Sequence, residues 1–122
     1  MTNSADSSRR RVLLIEDEYF IAEDMARAFA AAGAEVVGPA ATVDSAMRLV
    51  GESGRLDGAV LDINLRGEMA YLIADALRER GVPFVFATGY DAATIPVRFA
   101  GIVRCEKPVP AKQVVMTLFG PG

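Results

Sequence analysis

The chain has 122 residues and no histidine. That absence excludes Ser-His and Cys-His catalysis, an imidazole metal site and a phosphohistidine of its own. There is one cysteine, Cys105, so no internal disulfide forms, which fits a reducing cytoplasm. Basic residues are the minority, 13 Lys and Arg against 16 Asp and Glu, for a net charge of -3. Together with a sequence pI near 4.9, this argues against nucleic acid or anionic membrane as a main partner. No apolar run approaches membrane-spanning length, and "MTNSADSSRRR" lacks the hydrophobic core of a secretory signal. The expectation is a cytoplasmic protein with no membrane association.

What is present is 52% hydrophobic residues, mostly aliphatic, enough for the core of one domain. Residues 1–10 are expected to form a disordered tail and residues 11–120 the domain. Arg9, Arg10 and Arg11 read as a solvated lead-in. "VLLI" (12–15), "EVVGPA" (35–40), "GAVLDI" (58–63), "FVFAT" (84–88) and "GIVR" (101–104) read as strands. The first, third and fourth are continuous apolar runs, as in a parallel sheet covered on both faces. Between them lie helical spacings of three and four. Ile21, Ala22, Met25, Ala28, Phe29 and Ala32 form one face. Val43, Ala46, Met47 and Val50 form a second, with Thr42 as N-cap. Leu72, Ile73, Ala76 and Leu77 form a third, and Val114, Val115, Leu118 and Phe119 a last one. Pro96 interrupts any helix starting near Asp91, so the fourth helix should be short or irregular.

Strand and helix thus alternate, which predicts an α/β fold: a doubly wound, five-stranded parallel sheet with right-handed crossovers and helices on both faces. Ligands in such folds bind beyond the carboxyl ends of the strands. There the sequence places Glu16, Asp17 and Glu18, then Asp62 and Asn64, then Thr88 and Gly89, then Lys107 and Pro108. A carboxylate directly after a buried aliphatic strand is costly unless paired or solvated, so Asp62 demands a partner. Clustered carboxylates without His or Cys favour Mg²⁺. Lys107, the Thr88 hydroxyl and the Gly89 amide suit a phosphoryl group, and a carboxylate in that cage can be a nucleophile toward phosphorus.

Glu16-Asp17 in "LLIEDE", Asp62 in "VLDINL", Thr88 in "FATGY" and Lys107 in "EKPV" together resemble the receiver domain of two-component response regulators. The resemblance covers about residues 11–119. It implies a flavodoxin-like strand order 2-1-3-4-5 and phosphorylation of Asp62 by a histidine kinase or phosphotransfer protein. It also implies an unidentified downstream protein partner. Mg²⁺ would be bound by Asp17, Asp62 and the main-chain carbonyl of Asn64, with Glu16 acting largely through water. Lys107 would contact the phosphoryl group, and the Lys107–Pro108 peptide would be cis. "FATGY" and "DINLRGE" further resemble the FAT GUY subgroup, commonly standalone receivers of alphaproteobacterial general stress signalling. "LFGPG" reads as a stop, which favours a single-domain regulator.

Arg104 stands where most receivers have an aromatic residue three before the lysine, so the response is expected to run through Thr88, Tyr90 and the 91–100 segment. Asn64, two residues after Asp62, is no acid for a leaving group, so the expectation is a phosphoryl acceptor with at most slow self-dephosphorylation, not an enzyme. The alternatives are a pseudo-receiver that is never phosphorylated, a Mg²⁺-dependent phosphatase and a flavin-binding protein. "EDEYF" argues against the last, since it is no phosphate loop.

Overall fold

The structure is a computed structural model and describes residues 9–89 and 94–120. Strand β1 (Arg11–Ile15) leads into α1 (Tyr19–Ala31), β2 (Glu35–Ala40), α2 (Val43–Glu52) and β3 (Gly58–Leu61). A small hairpin of β4 (Asn64–Leu65) and β5 (Glu68–Met69) precedes α3 (Tyr71–Glu79) and β6 (Phe84–Thr88). A 3-10 turn (Val97–Phe99), β7 (Arg104–Glu106) and α4 (Ala111–Phe119) complete the chain. The main sheet has the order β2-β1-β3-β6-β7, with every pairing parallel. Counted among its own five strands, this is the flavodoxin-like order 2-1-3-4-5.

The apolar runs of β1, β3 and β6 supply both faces of this sheet, because successive side chains of a strand point to opposite sides. Leu13, Ile15, Ala59, Leu61, Phe84 and Phe86 pack on Ala46, Val50, Ile73 and Leu77 of α2 and α3. Val12, Leu14, Val60, Val85 and Ala87 pack on Met25, Phe29 and Val114 of α1 and α4. Helix α2 begins at the expected cap: Ser45 N–H donates to Thr42 Oγ1 at 3.1 Å and Thr42 N–H to Ser45 Oγ at 3.4 Å, a reciprocal capping box. Ile15 sits beside Leu61, and Leu61 beside Phe86. This register brings the residues that follow the three central strands to one edge.

Three expectations need correction. The fifth strand is Arg104–Glu106, not 101–104. Ile102 N–H still closes a turn onto Phe99 O at 3.0 Å, so the apolar Ile102 and Val103 belong to the approach, and Val103 is exposed. Leu72 and Met47 are also exposed. Ile73, Ala74 and Leu77 define the buried stripe of α3, and Leu72 stands one residue, about 100°, off it. In α2, Leu49 packs on the core in place of Met47. The hairpin β4–β5 was not anticipated. Between β6 and β7 the described residues show 3-10 conformation at Thr94 and in the turn Val97–Phe99 after Pro96, in line with a short, irregular fourth helix. That turn is anchored by Phe99, stacked on Tyr71 with ring centroids 5.8 Å apart, and by Arg98, which grips Asp75 with bonds of 3.1 and 3.0 Å.

Gly38 gives a sharp test of the β1–β2 packing. It has φ +94, and a Cβ there would lie 2.9 Å from Leu14 O and 3.0 Å from Ala40 N. Gly51, inside α2, has nothing within 4 Å of such a Cβ. In urea unfolding, Gly38→Ala should lower stability by about 2 kcal/mol or more, whereas Gly51→Ala should raise it by up to about 1 kcal/mol.

Candidate functional site

The sheet edge gathers the polar residues that the strands end on. Glu16 and Asp62, the first residues past β1 and β3, are buried, and so is Thr88, the last of β6. Lys107 follows β7 directly and precedes a cis Lys107–Pro108 peptide. Its Nζ lies 2.7 Å from Glu16 Oε1 and 2.8 Å from Asp62 Oδ2. The Thr88 hydroxyl donates to the other oxygen, Asp62 Oδ1, at 2.8 Å, and Asn64 N–H reaches the same oxygen at 3.3 Å. Both oxygens of a buried carboxylate are therefore held, which is how a charge survives at the end of an aliphatic strand.

Asp17 sits at the mouth. With Glu16 and Asp62 it offers carboxylate oxygens that all lie within 4.8 Å of one another. Residues Asp17, Asp62, Asn64, Thr88, Gly89 and Lys107 line an open cavity of about 450 Å³. Gly89 leaves open space where a side chain would begin. An all-oxygen set of this kind suits a hard divalent cation, so the residues present fit Mg²⁺. All the acidic, hydroxyl and lysine residues singled out in the sequence thus meet at one place. Tyr90 lies outside the described residues.

No protein-family model matches the sequence. The chain is 35% identical over 102 residues to the phyllosphere-induced regulator PhyR of Methylorubrum extorquens, a match covering 82% of this chain and 35% of PhyR. It therefore spans about a third of that regulator's length. A solution structure of SdrG from Sphingomonas melonis matches at 35% identity with a TM-score of 0.77, covering 90% of this chain and 92% of SdrG. SdrG in its BeF3-activated conformation matches with a TM-score of 0.74. A response regulator receiver protein from Sinorhizobium medicae shares the fold with a TM-score of 0.78 at 22% identity, covering 92% of this chain and 93% of its own. The chain belongs to the response regulator receiver family.

Two features of this receiver were not visible in its sequence. The first is the β4–β5 hairpin directly after Asp62. Its turn puts Arg66 at φ 53 and Gly67 at φ 88, and the Asn64 side chain closes it by accepting Gly67 N–H at 2.7 Å. The Arg66 N–H donates to Asp17 Oδ2 at 2.9 Å, so the hairpin backbone positions the half-buried acid of the cluster. The "RG" pair was the available signal, since two positive φ values at the centre mark a tight hairpin turn. The second is the direct ion pair between Glu16 and Lys107. Arg104 is half-buried on β7, its guanidinium 3.9 Å from Glu106.

Burial pushes the Glu16 carboxyl up to about 7, with the Asp62 charge adding to it, against the hydrogen bonds from Lys107 and Glu18 N–H. For Lys107 burial alone would lower the ammonium pKa, but bonds to Asp62 and Glu16 outweigh it and raise it. A folded Glu16 that keeps its proton to higher pH binds more protons than the unfolded chain between 4.5 and about 7. Its contribution to stability is complete below that window and disappears as pH rises through it. Urea unfolding of the Mg²⁺-free receiver should give lower stability at about pH 8 than at about pH 5, and Glu16→Gln should flatten that slope.

Proposed function

We propose that Asp62 accepts a phosphoryl group from a phosphohistidine of a histidine kinase or phosphotransfer protein, with Mg²⁺ bound, and that the modified receiver signals by contact with another protein. The observation that carries this reading is the grip on Asp62: Thr88 Oγ1 and Lys107 Nζ each hold one of its oxygens at 2.8 Å. The carboxylate is fixed in orientation by these two contacts, with Lys107 as its ion-pair partner. One oxygen forms a bond to phosphorus as the phosphorus–nitrogen bond of the donor breaks, and the electron pair returns to the imidazole nitrogen. Lys107 lies close enough to follow the charge onto a phosphoryl oxygen. The Thr88 hydroxyl and the Gly89 N–H stand at the same edge as further donors.

Asp17, Asp62 and the Asn64 carbonyl would hold Mg²⁺, with Glu16 behind them. When bound, the cation neutralises charge on the phosphoryl oxygens. Asn64 carries no proton for a leaving group, and its side-chain oxygen is engaged by Gly67 N–H. We therefore read the protein as a phosphoryl acceptor with slow self-dephosphorylation, not as an enzyme acting on free substrates. "FATGY" at 86–90 and "DINLRGE" at 62–68, with the likeness to SdrG, support placement in the FAT GUY subgroup and a role in general stress signalling. The activation of SdrG by BeF3 supports a phosphoryl-dependent switch here too. No helix among the described residues is long and apolar enough to cross a membrane, consistent with the cytoplasmic reading. The response is assigned to Thr88, Tyr90 and the following segment, since β7 offers Arg104 instead of an aromatic.

Incubation with acetyl phosphate and Mg²⁺ should add one phosphoryl mass to the wild type and none to Asp62→Asn. Equal labelling of the Asn variant would refute the site. A second measurement addresses the metal. Mg²⁺ should raise the melting temperature of the wild type, with roughly 4–8 °C expected per kcal/mol of binding stabilisation in a domain of this size class. Asp17→Ala should lose that rise. An unchanged rise would remove Asp17 from the ligand set.

A further inference from the structure

A second cavity lies away from the acidic edge and shares no lining residue with it. It is a groove of about 1080 Å³ between α1 and α4. Its floor is apolar and mostly small. Ala28 and Ala31 come from α1 and Ala32 from its C-cap, and Val115, Met116 and Phe119 come from α4. Met116 is 54% exposed. The α4 wall is fixed from behind, with the Phe119 ring edge-to-face on Phe29 at 5.7 Å.

Arg9, Arg10, Arg27 and Lys112 ring this floor, with Asp24 as the one acid among the lining residues. Two of these cations are positioned by neutral groups. Arg10 lies 4.8 Å over the Phe119 ring and donates to Phe119 O at 3.1 Å. Arg9 Nε reaches Gly33 O at 3.5 Å. Among the described residues no carboxylate pairs with Arg9, Arg10 or Lys112, while Arg27 shares Glu23 and Asp24 at 3.4 and 3.9 Å. A protein with net charge -3 thus gathers, at this apolar groove, three cations that no carboxylate among the described residues pairs with. Arg9 and Arg10, two of the three arginines that read in sequence as a solvated lead-in, are half of the four cations on that rim.

We propose that this groove docks an acidic, amphipathic helical segment of a partner protein. Apolar residues of the segment would cover the alanine floor and Met116, where missing side chains let a backbone come close. Its carboxylates would meet Arg9, Arg10 and Lys112. Helix-in-groove recognition lays the apolar face of an amphipathic helix into an apolar trough, and a rim of one charge selects a segment of the opposite sign. A nucleic acid would instead follow a stripe of cations over a polar surface, and here the cations enclose a greasy floor. The proposal is independent of the chemistry at Asp62.

The test is an amide NMR titration of the full chain with three synthetic helical peptides. One has Leu at i, i+3, i+4 and i+7 with Glu elsewhere, one replaces Glu by Lys, and one scrambles the first. The acidic amphipathic peptide should shift amides of residues 28–32 and 115–119. Its Kd should weaken at least about tenfold in the double variant Arg10→Glu, Lys112→Glu, and weaken with rising salt. Ala31→Trp, at an exposed position that fills the floor, should block binding while the remaining spectrum shows an intact fold. A cooperative urea-unfolding transition with a wild-type midpoint provides a second check that each variant is folded. The proposal is overturned by the absence of groove shifts, by equal binding of the lysine or scrambled peptide, or by an unchanged Kd in the charge-reversed variant. It is equally overturned if a DNA duplex gives the same shifts, or if the groove shifts track protein concentration without peptide, which would make a second copy the occupant.

Discussion

Everything at the functional edge depends on one ammonium group. Lys107 Nζ is within 2.8 Å of carboxylate oxygens from both Glu16 and Asp62, and Asp17 stands beside them. Three acids meet one compensating cation. A buried carboxylate without a partner is among the costliest groups a fold can hold, so Lys107 is what lets Glu16 and Asp62 coexist. It does not close the balance. Burial first, and the Asp62 charge after it, raise the proton affinity of Glu16, and the oxygen-lined mouth suits a divalent ion. Charge deficit is thus built into the metal-free site.

The frame that makes this possible is a sheet with no solvent face along its central strands. Every residue of β3 and β6 is buried, and the two cores grip alternate side chains of each strand. Parallel pairing in a fixed register then delivers residues from positions 16 to 107 to a single edge. The site residues occupy the ends of strands, where the backbone leaves the ladder and side chains can converge. The hairpin after Asp62 extends that order past the sheet, because the Arg66 amide holds Asp17 from the far side.

The sequence made much of this legible for a physical reason. Unbroken aliphatic runs announced strands covered on both faces, and an aspartate directly after one of them announced a charge in need of partners. Lys107 and Thr88 were unremarkable singly and became informative only together. What stayed hidden was set by tertiary contact. Only Gly67 of the "RG" pair marked the hairpin turn, and an arginine at positive φ, as at Arg66, is an unusual companion for it, so the hairpin went unseen. Ile102 and Val103 have strand-like side chains but complete a turn anchored by Phe99. Leu72 and Met47 lie beside, not on, the buried stripes, because a short helix with surplus apolar residues does not declare its rotation. The basic groove exists only once Arg9 and Arg10 are folded against Arg27 and Lys112.

The two outer strands carry a consequence for how such a protein behaves when crowded. An edge strand offers open N–H and C=O groups to any other chain. At one border β2 includes Pro39, which has no N–H to donate, and its pairing with β1 is irregular between Leu13 and Ile15. At the other, β7 is three residues long and flanks the buried Cys105 with Arg104 and Glu106. Neither border is a good template for adding a strand, since one lacks a donor and the other is short and charged. Edge-to-edge strand addition, a route to aggregation and domain swapping, is disfavoured at both ends. Contacts with other molecules are directed to the helices and to the loops at the strand ends.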